Sequence, residues 1–377
     1  MKKICYVVTL PLTIRAFFIP QLKYLVDNGF DVTVICSNDD NLQEELGEEV
    51  RYLSVDMPRG ISISGSITAV RKLIKIFRKE KFDLVQYSTP NAALYTSIAS
   101  KAVGVKVRNY HLMGYRYLGA KGFSRNILKM IEKITCALST NIECVSSSNL
   151  ELGIKEKLFK QNKATVVWNG STGGIDLTRF DISKRKTWRA QIRRELGYSE
   201  TDFLFGFVGR ITRDKGVNEL LEAFLNLKSD SKLLLVGNKE GANTLNQILL
   251  KKAAQCSNIR FVESVADIER YYAALDVLVL PSYREGFGNV IIEAAAVGTP
   301  AIVTNIPGPI DAVGINVTAL TVKVKDSKDL YEKMFKLENS PNICKTMSLN
   351  CRKYVKSRFD DVILCEYILK RKQEMLK

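Results

Sequence analysis

Val279-Leu280-Pro281-Ser282-Tyr283-Arg284-Glu285-Gly286-Phe287-Gly288-Asn289-Val290-Ile291-Ile292-Glu293-Ala294-Ala295-Ala296 reads as the end of a buried strand, a loop closed by glycines, and a helix. The strand runs from Asp276 to Leu280 and the helix opens near Asn289. Positions 290–297 are apolar on every face except at Glu293. A helix that is hydrophobic all round is buried, and a lone carboxylate on it carries a desolvation penalty unless it has a partner. Glu285 lies just ahead of the same helix N-terminus, where exposed N–H groups and the helix dipole favour an anionic ligand. Strand, loop and helix therefore converge on a pocket for something both hydroxylated and phosphorylated. The competing reading pairs Glu293 with a neighbouring Lys or Arg and leaves Glu285 as a solvated loop residue.

Outward from this run, strand and helix patterns alternate. Lys3–Thr9, Asp31–Ser37, Leu84–Tyr87, Val105–Tyr110 and Asn141–Ser146 read as strands. Helical patterns cover Ala16–Asn28, Ser66–Asp83, Ala92–Ala102 and Ser124–Ser139. Val166 to Asp176 is rich in Gly, Asn, Ser and Thr and reads as a linker. The alternation then restarts with strands Phe203–Val208, Lys232–Val236, Ile259–Val262, Val277–Leu280 and Pro300–Thr304. This implies two α/β, doubly wound parallel-sheet domains, with the ligand in a cleft at the carboxyl ends of the strands. A chain of 377 residues suits two domains.

The eight cysteines are scattered without a C-x-x-C pair, which fits buried reduced thiols. One histidine excludes a histidine-rich metal site. No run approaches the ~20 apolar residues of a membrane span, and no signal-peptide cleavage pattern follows Met1 to Val8, so a cytoplasmic location is expected. The chain carries 56 Lys/Arg against 40 Asp/Glu, a net +16, and the excess is uneven: positions 61–135 hold 14 basic and 3 acidic residues. Nucleic acid and anionic membrane are the usual partners of such a surface. Ile67, Val70, Leu73, Ile74 and Phe77 follow helical spacing, with Arg71, Lys72, Lys75, Arg78, Lys79 and Lys81 on the other faces. That is a basic amphipathic helix, able to lie on an anionic leaflet or to pack on its own sheet with a solvated basic side.

The Glu285/Glu293 run resembles the E-x7-E signature of family 4 retaining glycosyltransferases, which have the GT-B fold, two Rossmann-like domains facing a cleft. The likeness spans nearly the whole chain. Asn169-Gly170, Ile175-Asp176 and Phe180 resemble the family's inter-domain element, and the tail from Tyr354 to Lys377 its returning C-terminal helices. The implied domains are 1–171 for the acceptor, 172–353 for the nucleotide sugar, and 354–377 crossing back. Arg108 to Tyr117 followed by a basic helix is most similar to transferases of capsule and O-antigen assembly, which act on polyprenyl-diphosphate-linked sugars.

The resemblance assigns roles. Glu293 would hold the ribose hydroxyls. Glu285 and the backbone of Gly286, Phe287 and Gly288, with Asn289 at the helix start, would face the donor sugar and its diphosphate. Phe205 to Gly216 is a strand turning through Gly209, and its Arg210 and Lys215 would stabilise the leaving UDP without a metal. Charge accumulates on the β-phosphate in the transition state, so fixed cations there lower the barrier. Arg210 offers a planar fork and Lys215 a point charge. Alone, a G-R-x4-K-G string is weak, and Arg213 is left on the surface. His111 would face the donor sugar, since imidazole can donate and accept near neutral pH; a hydrogen-bonded interface residue is the alternative. The segment Thr9 to Arg15 is taken as a loop lacking the paired glycines of many relatives, so Thr13 and Arg15 would serve the acceptor. Glu263 stands where a glycine is common beside the base.

The expected activity is a retaining, metal-independent, cofactor-free transfer of an N-acetylated hexosamine (GalNAc, GlcNAc or N-acetylfucosamine) from a UDP-sugar to a polyprenyl-diphosphate-linked saccharide. It would take place at the anionic inner membrane leaflet, with Lys72, Lys75, Arg78 and Lys79 facing the membrane. A GT-B UDP-N-acetylglucosamine 2-epimerase would need histidines this chain hardly offers. A nucleic-acid-binding protein would show interleaved aromatic and basic residues, which are missing. A catalytically dead scaffold would not keep Arg210, Lys215, Glu285 and Glu293.

Overall fold

The computed structural model describes residues 1–58, 63–240 and 244–377. It divides into two compact units, one made of Met1–Gly174 and Asp361–Lys377, the other of Ile175–Asp360. The chain thus leaves its first unit after Gly174 and rejoins it at Asp361. Positions 61 and 62 of the basic stretch lie outside the described residues.

The first unit is built on strands β1 (Lys2–Val7), β2 (Phe30–Cys36), β3 (Val50–Ser54), β4 (Leu84–Tyr87), β5 (Val107–Leu112), β6 (Asn141–Cys144) and β7 (Ala164–Val166). They form one parallel sheet ordered β3-β2-β1-β4-β5-β6-β7. Ile4, Tyr6, Val32, Val34 and Leu84 face one core with Phe18, Leu22 and Leu25. Cys5, Val7, Val85 and Tyr87 face the other with Leu73, Phe77, Tyr95 and Cys136. Both faces are thus covered by helices, as an all-parallel sheet requires.

The second unit repeats the plan with β8 (Leu204–Val208), β9 (Lys232–Val236), β10 (Ile259–Val262), β11 (Val277–Leu280), β12 (Ala301–Thr304) and β13 (Ala319–Val322). Their order is β10-β9-β8-β11-β12-β13, again parallel. Strand order reverses between β1 and β4 in one sheet and between β8 and β11 in the other. Such reversals are where ligands bind in open α/β sheets, at the carboxyl ends of the strands.

The structure corrects one element. Thr9 to Arg15 is not a loop: a helix runs from Pro11 to Phe17, with the proline in its first turn, where its missing N–H costs nothing. A second helix, Ile19–Asp27, follows. Strands β3, β7 and β13 were not anticipated. The basic helix runs Ile63–Glu80; Leu73 and Phe77 are buried while Arg71, Lys72, Lys75, Arg78 and Lys79 are exposed. It therefore packs on its own sheet and keeps its basic side outward. All eight cysteines are free thiols and six of them are buried.

Candidate active site

In the second unit, the loops after the adjacent strands β8 and β11 meet. The chain leaves β8 through Gly209 and makes a short 3-10 turn, Arg213–Lys215, before the helix Val217–Leu227. Gly216 sits at φ +72°, and a Cβ there would lie 2.1 Å from the carbonyl oxygen of Pro281, so only glycine lets the two loops approach this closely. Tyr283 N–H donates to the Asp214 carbonyl at 2.8 Å. Arg284 pairs with Asp214 at 2.9 Å, and the Thr212 hydroxyl donates to the other Asp214 oxygen at 2.6 Å. These contacts bring Lys215 Nζ to 2.5 Å from Glu285 Oε1. Arg210 is exposed and reaches the exposed Glu240 at 3.3 Å. Arg213 is exposed.

The helix that follows, Asn289–Ala296, begins at Asn289 with Gly288 as its N-cap at φ +91°. Phe287 is buried edge-on against Phe359, ring centroids 5.3 Å apart. With that side chain turned inward, what residues 286–288 can offer a ligand is backbone. Among the described residues Glu293 forms no ion pair with a Lys or Arg. It is partly buried and accepts a 2.6 Å hydrogen bond from the Tyr272 hydroxyl. Burial raises its carboxyl above the usual range, with Tyr272 and Arg179 opposing. Glu263 is exposed.

His111, Thr13 and Arg15 belong to the first unit. His111 lies on β5 with 8% exposure, its Nδ1 3.2 Å from the Ser88 hydroxyl and its ring edge-on to Phe18. Burial pulls its pKa down to about 4, while Glu143 and Lys372 act in opposite directions. At neutral pH the imidazole is therefore neutral, and it does not titrate near pH 7. A neutral imidazole keeps one donor and one acceptor nitrogen, so His111 can still hydrogen-bond a hydroxyl. Beneath it, Lys372 on the helix Asp361–Met375 is 1% exposed. It donates to Gln86 at 2.6 Å and to both oxygens of Glu143 at 3.0 and 2.8 Å. Arg15 is held by three short bonds, 2.8 and 2.7 Å to Asp39 and 2.6 Å to Glu45. Its guanidinium keeps the Asp39 carboxyl down at about 2. Thr13 is partly buried on the same short helix.

A family model described as Glycosyltransferase Family 4 matches residues 21–172, and one described as Glycosyl transferases group 1 matches residues 189–354. The chain is 33% identical over 349 residues, 92% of its length, to the capsular polysaccharide biosynthesis glycosyltransferase CapM of Staphylococcus aureus, covering 90% of that protein. The chain belongs to glycosyltransferase family 4.

This family 4 glycosyltransferase is also 26% identical over 370 residues to UDP-Gal:alpha-D-GlcNAc-diphosphoundecaprenol alpha-1,3-galactosyltransferase of Escherichia coli, with 96% and 94% of the two chains covered. Its fold is that of Anabaena HepE, crystallised with UDP and glucose, at TM-score 0.79 and 19% identity over 99% of this chain and 100% of that one. It is thus a GT-B glycosyltransferase.

Three residues around its candidate site escaped the sequence reading. Tyr272, which holds Glu293, lies among other aromatic and apolar residues and gives no local signal. Asp214 and Arg284, which join the loops, carry charge in turns where solvated charge is ordinary; only the Gly216 approach gives their pairing meaning.

Proposed function

We propose that this glycosyltransferase moves a sugar from a UDP-sugar to a polyprenyl-diphosphate-linked saccharide during assembly of a capsule or related surface polysaccharide. Retention at the anomeric carbon and independence from metal are part of the reading. The observation that carries it is the Lys215–Glu285 pair, made where the loops after β8 and β11 meet, just ahead of the helix that bears Glu293. Fixed cations precede a helix start there, and a carboxylate is set one turn into the helix. The likeness to relatives whose names specify UDP-galactose and a diphosphoundecaprenol acceptor, or a UDP complex, supports the choice of donor and acceptor.

Lys215 and Arg210 stabilise charge on the departing diphosphate, and Lys215 is aimed by Glu285. The backbone at 286–288 and the N-terminal N–H groups at Asn289 receive phosphate or sugar oxygens. Glu293, oriented by Tyr272, accepts from ribose hydroxyls. His111, neutral and fixed by Ser88, offers a hydrogen bond to the sugar rather than a proton. The transferred sugar is an N-acetylated hexosamine in this reading.

The test is product analysis with a panel of UDP-sugars and a short-chain polyprenyl-diphosphate sugar, run with and without EDTA. One donor giving an α-linked product equally well in chelator is the expected result. Transfer to no lipid-linked acceptor, or activity lost in EDTA and restored by magnesium, overturns the corresponding part.

Replacing Glu293 by alanine removes a charged hydrogen-bond acceptor, worth about 1.5–3 kcal/mol. Calorimetry with UDP should therefore show affinity lower by about tenfold or more. Unchanged affinity in a folded variant makes Glu293 a structural partner of Tyr272 only.

No helix among the described residues is long and apolar enough to cross a membrane. The exposed Lys72, Lys75, Arg78 and Lys79 would hold the enzyme against the inner leaflet, each contributing ~1 kcal/mol near an anionic surface and screened by salt. Changing all four to glutamine should weaken flotation with phosphatidylglycerol vesicles while leaving transfer to a soluble short-chain acceptor intact. A variant that floats as well as the wild type would make these lysines and arginine an ordinary solvated face.

A further inference from the structure

A cavity of about 690 Å³ lies within the first unit, between helices Ile63–Glu80, Pro90–Ala102 and Gly122–Leu138. Val70, Leu94, Ile98, Ile127, Leu128 and Ile131 form its walls, which are predominantly apolar. None of its lining residues is among those assigned above to sugar or nucleotide. Protein interiors are packed with few voids larger than a water molecule, so an apolar cavity of this size, in the range of about 300–1,000 Å³ typical of ligand pockets, is a feature to be explained.

The cavity has two different ends. Ser66, Asn91, Arg116 and Ser124 lie at one, close to the starts of the three helices and just beyond the carboxyl edges of β4 and β5. Arg116 donates to Asn91 there at 3.2 Å. The other end, at Ile98, Ile131 and Thr135, is one or more helical turns further along. Its single acidic lining residue, Glu132, is buried and accepts from the Tyr110 hydroxyl at 2.8 Å. Burial raises that carboxyl to about 7, so near neutral pH an apolar neighbour faces a group that is uncharged about half the time, and more so as pH falls.

The surface beside the cavity is apolar and basic at once. Phe123 is 80% exposed, Met130 63% and Ile67 47%, an unusual grouping of large apolar side chains on neighbouring helices. Arg71, Lys72, Lys75, Lys121 and Lys133 are exposed on the same segments. An occupant with a hydrocarbon body and an anionic head complements both. A methylene takes about the room of a water molecule, roughly 30 Å³, so the cavity holds on the order of twenty carbons. That suits one chain better than the two of a diacyl lipid.

We propose that this cavity binds the isoprenyl chain of the acceptor, its first units lying between the three helices and its diphosphate emerging beside Arg116. The identity of the occupant rests on the lipid-linked acceptor reading above. The site would make chain length a determinant of acceptor recognition, separate from recognition of the sugar.

The test compares acceptors carrying one sugar-diphosphate on a long isoprenyl chain or on a one-carbon methyl group as the short chain, for wild type, Val70→Trp and Ile127→Trp. The two substitutions fill the cavity from different helices. Binding of geranylgeranyl phosphate is measured alongside by displacement of a fluorescent isoprenyl phosphate, with inorganic diphosphate and phosphatidylglycerol vesicles as competitors. Expected is a KM at least tenfold lower for the long chain, abolished in both variants, with short-chain kinetics within twofold of wild type. Geranylgeranyl phosphate should bind the wild type and neither variant, and inorganic diphosphate should not displace it. A chain-length preference that survives in a folded variant overturns the proposal, as does equal displacement by vesicles. If no lipid-linked acceptor is used at all, the functional reading fails by itself. Binding of geranylgeranyl phosphate then decides the cavity alone, its absence overturning the proposal.

Discussion

Turnover of Lys215→Ala falls by about 10²-fold or more, and Arg210→Ala by a similar factor, as when one fixed donor to transition-state charge is removed. A factor of 10² is about 2.7 kcal/mol of lost stabilisation. The geometry distinguishes the two residues. Lys215 ends a 3-10 turn pinned by the Gly216 approach to Pro281, and its ammonium is set 2.5 Å from Glu285. Arg210 is exposed and meets only the exposed Glu240 among the partners resolved for its guanidinium. Lys215 is thus the better pre-organised cation, and its loss should appear in kcat with UDP affinity changed less. Lys215→Arg should not rescue, because a planar fork does not occupy the place of a point charge. Steady-state kinetics on purified variants, with UDP binding measured separately, checks this. Turnover within a few-fold of wild type for both alanine variants places the diphosphate site elsewhere.

Lys372→Met destabilises the first unit by about 3–5 kcal/mol, the usual consequence of removing one member of a buried ion pair. Burial pushes the Glu143 carboxyl up, but Lys372, with help from His111 and Asn109, holds it below its ordinary 4.5. That contribution is present above the ordinary carboxyl value and is lost as pH falls through the lower folded one. Without the ammonium, Glu143 is left buried with its charge uncompensated or must take up a proton. At about 2–4 °C per kcal/mol for a unit of this size, the unfolding midpoint should drop by roughly 6–20 °C. Thermal unfolding followed by circular dichroism measures it. Adding Glu143→Gln to Lys372→Met should recover part of the loss, since the stranded charge is gone. A single variant within about 1 kcal/mol of wild type would show that Glu143 does not depend on Lys372.

Much of this architecture could be read from residue order alone, and the omissions share a cause. Residues 233–236 and 277–280 are continuous apolar runs, and Leu84–Tyr87 is broken only by Gln86, because central strands of parallel sheets are covered on both faces. The missed β3, β7 and β13 all lie at sheet edges, where one neighbour is absent and the apolar pattern weakens. Val50-Arg51-Tyr52-Leu53-Ser54 and the three-residue Ala164–Val166 look like connecting segments for that reason. At the site, the spacing of Glu285 and Glu293 was legible because each stands out against its surroundings. The Tyr272 bond to Glu293 and the Asp214–Arg284 pair were not, because they join segments brought together only by strand pairing. His111 shows the same limit in another form: its position on a strand could be read, but the burial that keeps it neutral depends on Phe18 and its other surroundings.

The return of residues 361–377 to the first unit gives its folding a built-in delay. Glu143 and Gln86 leave the ribosome long before Lys372 does, and the whole of Ile175–Asp360 is made in between. At about 5–20 residues per second, those 186 residues take on the order of ten to forty seconds. For that time the amino-terminal sheet is synthesised but its buried carboxylate has no ammonium. The second unit has every strand and glycine loop it needs before the first can close. In a growing chain, the half that is made first is therefore the half that is finished last.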